Sequence, residues 1–476
     1  MNILWLRTLL LLTVFFWPAA HAAAVERTLV LTPCRFADLT RAARCGTLGV
    51  PENPDKPRGR RLAISVAVIP ATHAQALADP IVVLQGGPGE DTISSAAYYA
   101  ERFAPLLADR DLLLVDQRGT GKSGAQPCAL YSAGDPARSL RDVFPVAAVK
   151  RCAKRLAARA DLTQYTFDRF ANDLEQVRRQ LGYGALNLYA GSYGTRAAQV
   201  YIRSFPAGVR TAYLGSAVPM DAAGPLAFAK TAQAALELLL SSCAADAGCR
   251  AAFPKLREEF RAIGLKLDSG AARVSIPGRA ATATLDRGRV AEWMRSKLYR
   301  PKSATMLPWM IHRAYAGDWT PLVKDLLADA RDADSDFSFG LFFSITCSED
   351  VAFIREQDIA PETQGTFLGD YRVRQQQAAC QEWPTRTLPK NYRSPVTSAV
   401  PTLFVSGDAD GGTPLWFADR VAAGFSNRLQ VIVKGQGHTE WSGCLAQLYQ
   451  QLVRSGAVRG LNPSCPDVPR PPFKLN

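Results

Sequence analysis

The stretch that decides the reading is Leu186-Asn-Leu-Tyr-Ala-Gly-Ser-Tyr-Gly-Thr195. Leu186 to Ala190 is a short apolar run with strand character, and Thr195 to Phe205 carries the apolar spacing of a helix. Between them, Ala190-Gly-Ser-Tyr-Gly194 has the small–x–Ser–x–Gly pattern of a nucleophile elbow, with alanine where the first glycine usually stands. Small residues let the strand and the helix approach closely. The sharp turn then lifts the Ser192 hydroxyl out of the sheet and points the backbone N–H of Tyr193 at any oxyanion that forms. Such a string also arises by chance, so its weight depends on what surrounds it.

The surroundings supply the right frame. Arg61–Ala71, Pro80–Gln85, Asp111–Asp116, Thr211–Val218, Thr402–Ser406 and Leu429–Lys434 read as strands. Phe167–Leu181, stopped by Gly182, and a final segment from about Glu440 to Val453 read as helices. This alternation predicts an α/β fold with a mostly parallel sheet flanked by helices on both faces. Between Val218 and Pro401 strand signals fade, and helix-like pieces dominate (Leu226–Ser241, Ala291–Leu298, Leu322–Ala330). The expected organisation is a leader at 1–22, a core at 23–219, an inserted helical lid at 220–395, and the rest of the core at 396–476.

Three further features carry chemistry. Gln85-Gly-Gly-Pro-Gly89 follows an early strand, and the N–H of Gly87 is placed to complete an oxyanion hole with Tyr193. Histidine is scarce: His21 lies in the leader, leaving His73, His312 and His438. His438, in Gly435-Gln-Gly-His-Thr-Glu440 after the last strand, stands where the chain order Ser…Asp…His puts the general base. Ser406-Gly-Asp-Ala-Asp-Gly-Gly-Thr-Pro414 follows the penultimate strand, and Asp408 and Asp410 compete for the acid that would orient the imidazole.

Other chemistries fit poorly. Gly121-Lys-Ser123 resembles the end of a phosphate-binding loop, but the glycine required five residues earlier is Asp116. His438-Thr-Glu440 resembles a deaminase motif, yet no P-C-x-x-C follows. No C-x-x-C or histidine-bearing ligand cluster exists, so no metal is expected, and acyl transfer through a Ser-His-Asp triad needs no organic cofactor.

The N-terminus, MNILWLRTLLLLTVFFWPAAHA, has a basic flank at Arg7, a short apolar run, and Ala20-His-Ala22 as a cleavage site. It is expected to be a signal peptide. The run is too short to span a bilayer comfortably, and no later stretch is long and apolar enough to do so. Export to a periplasmic or extracellular space makes an even number of cysteines readable as disulfides. The ten are Cys34, Cys45, Cys128, Cys152, Cys243, Cys249, Cys347, Cys380, Cys444 and Cys465. Sequence leaves the pairing open; nearest neighbours in order is the simplest scheme. The net charge of +13 raises nucleic acid as a partner, but no basic run or binding motif accompanies it, so none is expected.

Taken together, CGTLGVPENP (45–54), QGGPG (85–89), DQRGTGKSG (116–124), LYAGSYGTR (188–196), GDADGGTP (407–414) and GQGHT (435–439) resemble the tripeptidyl aminopeptidase and proline iminopeptidase branch of the α/β-hydrolases. Cys347-Ser-Glu-Asp350 and the Cys444…Cys465 spacing fit as well. The resemblance implies an α/β-hydrolase fold with a lid, and a triad of Ser192, Asp410 and His438. It favours Asp410 over Asp408 because the family's acid precedes Thr-Pro by three residues. It implies Gly87 and Tyr193 at the oxyanion hole and makes Asp116-Gln-Arg-Gly a structural turn. It implies acidic lid residues that hold a free substrate amine, for which Glu349 and Asp350 are the candidates, beside Cys347. Gln85 departs from the family's usual histidine, and Ala190 from its glycine. The expected activity is release of residues or short peptides from peptide N-termini. An ester hydrolase using the same triad is the alternative, and a non-catalytic binding protein on this fold is a more distant one.

Overall fold

The central strands of the sheet are buried on both faces along most of their length, which requires a sheet covered on both sides. The computed structural model describes residues 29–131 and 136–476; the expected leader lies outside the described residues. The chain folds into one nine-stranded sheet and one small hairpin. In chain order the strands are β1 (Thr32–Cys34), β2 (Ala43–Pro51), β3 (Arg61–Ile69), β4 (Leu77–Leu84), β5 (Arg110–Val115), β6 (Leu186–Gly191), β7 (Val209–Gly215), β8 (Arg273–Ser275), β9 (Thr282–Thr284), β10 (Thr402–Gly407) and β11 (Arg428–Val433). The large sheet runs β1-β2-β3-β5-β4-β6-β7-β10-β11. It is antiparallel from β1 through β3 to β5 and parallel from β5 onward. This is the α/β class read from the sequence.

β1 and β2 lack a sequence signal for a physical reason. They form an antiparallel edge, and β2 (ARCGTLGVP) mixes charged, glycine and proline residues with an irregular burial pattern. Cys34–Cys45 ties the two strands together.

From Gly224 to Gln381 the chain is helical apart from the hairpin β8–β9. Much of it packs around its own core, including Leu236, Trp293, Leu307 and Val323. The helix Phe339–Glu349 differs. Every residue in it is buried, and Phe339, Leu341, Phe343 and Ile345 join the sheet's own core. This helix anchors the inserted segment to the body of the protein. All ten cysteines are paired, as 34–45, 128–152, 243–249, 347–380 and 444–465, the nearest-neighbour scheme.

Candidate active site

The parallel strands deliver loops to one edge of the sheet, where ligands of open α/β sheets bind. β6 ends at Gly191, and the helix Gly194–Ser204 begins two residues beyond Ser192. Ser192 sits at φ 54°, a left-handed conformation that a non-glycine residue adopts only when its surroundings impose it. Its N–H donates to the Gly215 carbonyl of β7 at 3.0 Å. Gly194 allows the close approach: a Cβ there would lie 2.2 Å from the Leu84 carbonyl oxygen. The Gln85–Gly89 loop packs directly on the elbow, since a Cβ on Gly86 would lie 3.3 Å from that of Ser192 and 3.8 Å from the Tyr193 nitrogen. Gly87 and Tyr193 line one cavity with Ser192.

His438 lies on the loop after β11 and lines that same cavity. Its Nδ1 is 2.9 Å and 3.0 Å from the two Asp410 carboxylate oxygens. Asp410 also accepts from the backbone N–H groups of Gly412 and Thr413, and from the Thr413 and Ser216 hydroxyls, all at 2.7–2.9 Å. Burial opposes its charge, but His438 and the Thr413 bonds outweigh that and hold the carboxyl below its ordinary value. Asp408 instead accepts from the Gly435 N–H at 2.6 Å, a turn contact on an exposed loop. Of the two competing aspartates, Asp410 is the one bonded to the imidazole. His312 pairs with Glu259 in the inserted segment, and His73 is exposed.

The inserted segment holds the histidine from the other side. The His438 N–H donates to the Tyr299 carbonyl at 2.8 Å, and the Arg300 Nε donates to the His438 carbonyl at 3.2 Å. The Tyr299 ring lies 5.0 Å from the imidazole. These contacts carry no motif and link residues about 140 apart, so sequence reading missed them. Asp116 is a structural turn residue: its carboxylate accepts from the N–H groups of Thr92, Ile93 and Lys122. Arg118 is buried on Asp173 through two bonds of 2.7 Å.

The two amine-site candidates lie away from the cavity that Ser192 and His438 share. Neither Glu349 nor Asp350 lines the cavity. Asp350 is buried and committed to Arg196 at 2.6 Å and to the Tyr193 hydroxyl at 2.5 Å, so it braces the residue after Ser192. Glu349 accepts from the Phe167 N–H at 3.0 Å, and burial pushes its carboxyl up to about 8. Their position at the end of an all-buried helix turns both side chains into the protein body. Among the described residues, Glu90 is the carboxylate that does line the cavity. It directly follows the Gln85–Gly89 loop, and that adjacency is the signal that sequence reading passed over. Glu90 is exposed by surface area but crowded by surrounding protein atoms, and this desolvation raises its carboxyl above the ordinary value, partly offset by Arg300 and His438.

The cavity measures about 580 Å³, enough for a short peptide segment. Among the described residues no cluster of side chains fits a metal ion, and no helix is long and apolar enough to cross a membrane.

The sheet order and the strand–turn–helix geometry at Ser192 are those of the α/β-hydrolase fold. Two family models match the chain: the alpha/beta hydrolase fold over residues 79–272 and the TAP-like protein model over 365–465. The serine protease Hip1 of Mycobacterium tuberculosis is 30% identical over 241 residues, 46% of this chain and 45% of that one. The tripeptidyl aminopeptidase of Streptomyces lividans is 27% identical over 200 residues, 38% and 36% of the two chains. A solved proline iminopeptidase from Mycobacterium smegmatis superposes with a TM-score of 0.43 at 16% identity, covering 86% of this chain and 99% of that one. The chain thus resembles the tripeptidyl aminopeptidase and proline iminopeptidase branch, and the matches span less than half the length of these curated relatives.

Proposed function

We propose that the protein is an exported serine peptidase that releases residues or short peptides from free peptide N-termini. The observation that carries this reading is the Asp410–His438 pair opening into the same cavity as the Ser192 elbow. Ser192 attacks the scissile carbonyl. His438 takes the hydroxyl proton and passes it to the leaving amine, and Asp410 fixes the imidazole tautomer and stabilises the imidazolium. The Gly87 and Tyr193 N–H groups stabilise the oxyanion, and Asp350 and Arg196 position Tyr193. Water then hydrolyses the acyl-enzyme, with His438 again as base.

Glu90 replaces Glu349 and Asp350 as the partner of the substrate ammonium. A carboxylate within the cavity rewards a charged chain end more strongly than the same pair in open water. The five disulfides suit an oxidising compartment, in line with a leader at 1–22.

A panel of aminoacyl, dipeptidyl and tripeptidyl amides, each with a free or acetylated amine, tests this beside short-chain aryl esters. Peptide turnover that requires the free amine and disappears in Ser192→Ala is the expected result. Turnover confined to esters makes the protein an ester hydrolase, and turnover surviving in Ser192→Ala overturns the mechanism.

A further inference from the structure

The cavity holds more positive charge than negative. Arg102, Arg295, Arg300 and Arg372 all line it, against Glu90. Arg295 and Arg372 share a single carboxylate behind the wall, Glu292, which the two arginines hold at a pKa of about 2 in spite of burial. Arg300 gives its Nε to the His438 carbonyl and acts on Glu90 across the cavity. Arg102 is different. It ends the helix Ala96–Arg102, and its guanidinium donates to the hydroxyls of Tyr98 and Tyr189. It lies over the rings of Tyr98 and Trp441, 4.4 and 4.8 Å from their centroids. Among the described residues no carboxylate comes within ion-pair distance of it.

Phenol hydroxyls and ring faces orient a guanidinium without neutralising it. Tyr189, one of its two partners, is in β6 three residues before Ser192, so the unbalanced charge stands beside the nucleophile strand. A low-dielectric cavity concentrates such a field on whatever enters. The planar fork of donors matches a carboxylate better than a carbonyl.

We propose that Arg102 is the centre of an anion subsite, so that the enzyme prefers peptides carrying an Asp or Glu side chain near the scissile bond over their Asn or Gln counterparts. This rests on the peptidase reading of the Ser192 site. Glu90 then takes the chain-end amine and Arg102 a side-chain carboxylate, giving the cavity two poles of opposite sign.

The test is kcat/KM for pairs of free-amine peptide amides that differ only in Glu against Gln, or Asp against Asn, at each of the three positions before the bond and the first after it. The parent is expected to favour the acid at one position by about tenfold or more at low salt. That preference shrinks as sodium chloride is added. Arg102→Gln brings the ratio close to one, and Arg102→Lys, which keeps the charge, restores part of it. A parent ratio of one or less at every position overturns the proposal, as does an unchanged ratio in Arg102→Gln. Should that variant fail to fold, the parent's ratio and its salt dependence decide alone. Should no peptide be cleaved, the peptidase reading has failed separately. The subsite is then read on aryl monosuccinate against aryl butyrate esters, where preference for the succinate sustains it and parity overturns it.

Discussion

Ser192, Asp410 and His438 come from three loops of one sheet edge, and each is held by a different device. Ser192 is forced by its left-handed backbone, His438 by the Tyr299 carbonyl and Asp410, and Asp410 by four hydrogen-bond donors besides the imidazole. Ser192→Ala should lower kcat by about 10⁴-fold or more, and Asp410→Asn by about 10⁴-fold. Asp408→Asn should change it only a few-fold, since that side chain serves a turn. Steady-state kinetics on folded variants, with folding checked by circular dichroism, decide this. Glu90 sets a pH dependence. In the proposed amine site its binding form is the anion, and desolvation raises the pH at which the anion is lost. Turnover of free-amine substrates should therefore fall on acidification earlier than for an ordinary glutamate. Glu90→Gln should flatten that acidic limb and narrow the gap between free and acetylated substrates. A limb and gap identical to the parent's would remove Glu90 from the amine site.

At the level of elements, the helix Phe339–Glu349 couples the inserted helical segment and the sheet. Its apolar residues join the main core, its Cys347 is bridged to Cys380 on the helix Tyr371–Gln381, and its last residue is buried Glu349. With its carboxyl pushed up to about 8, Glu349 is neutral in the folded protein at pH 7 and ionised in the unfolded chain. The folded state therefore binds the extra proton, and stability falls as pH rises from about 5 to about 8. The loss is on the order of a few kcal/mol. Glu349→Gln should flatten that slope, seen as a Tm that varies less with pH, while leaving the preference for a free amine as in the parent. A parent Tm that rises across this window would contradict the assignment. The sequence reading does not single out this helix, and its composition hides its role. Phe-Gly-Leu-Phe-Phe-Ser-Ile looks like any buried segment, and only its packing shows that the acidic end faces inward.

For the molecule as a whole, five local bridges staple a chain whose two halves of core are separated by the insertion. In the chain-entropy account a bridge contributes more when it closes a longer loop. Cys347–Cys380 spans 33 residues and Cys243–Cys249 spans 6. The corresponding contributions are about 4 and about 2 kcal/mol. Replacing both cysteines by serine at 347 and 380 should therefore lower Tm more than the same change at 243 and 249, measured by calorimetry. Equal losses would mean that native packing, not loop closure, sets the cost.

Much of this was determined by the sequence alone. Apolar runs separated by glycine-rich turns dictate a parallel sheet, because only strands covered on both faces can be that uniformly apolar. The elbow around Ser192, the Gln85–Gly89 loop and the loops bearing Asp410 and His438 are local patterns, and each backbone conformation follows from a few adjacent residues. Cysteine order was enough for the bridges because each closes a short loop. The tertiary structure decided what depends on contacts between distant segments. It put the acidic residues after Cys347 inside the protein, brought Glu90 and four arginines around one cavity, and used Tyr299 and Arg300 to clamp the His438 loop. The physical reason is that the charge balance of a cavity is set by which side chains converge on it, and convergence across more than a hundred residues leaves no periodicity or spacing to read.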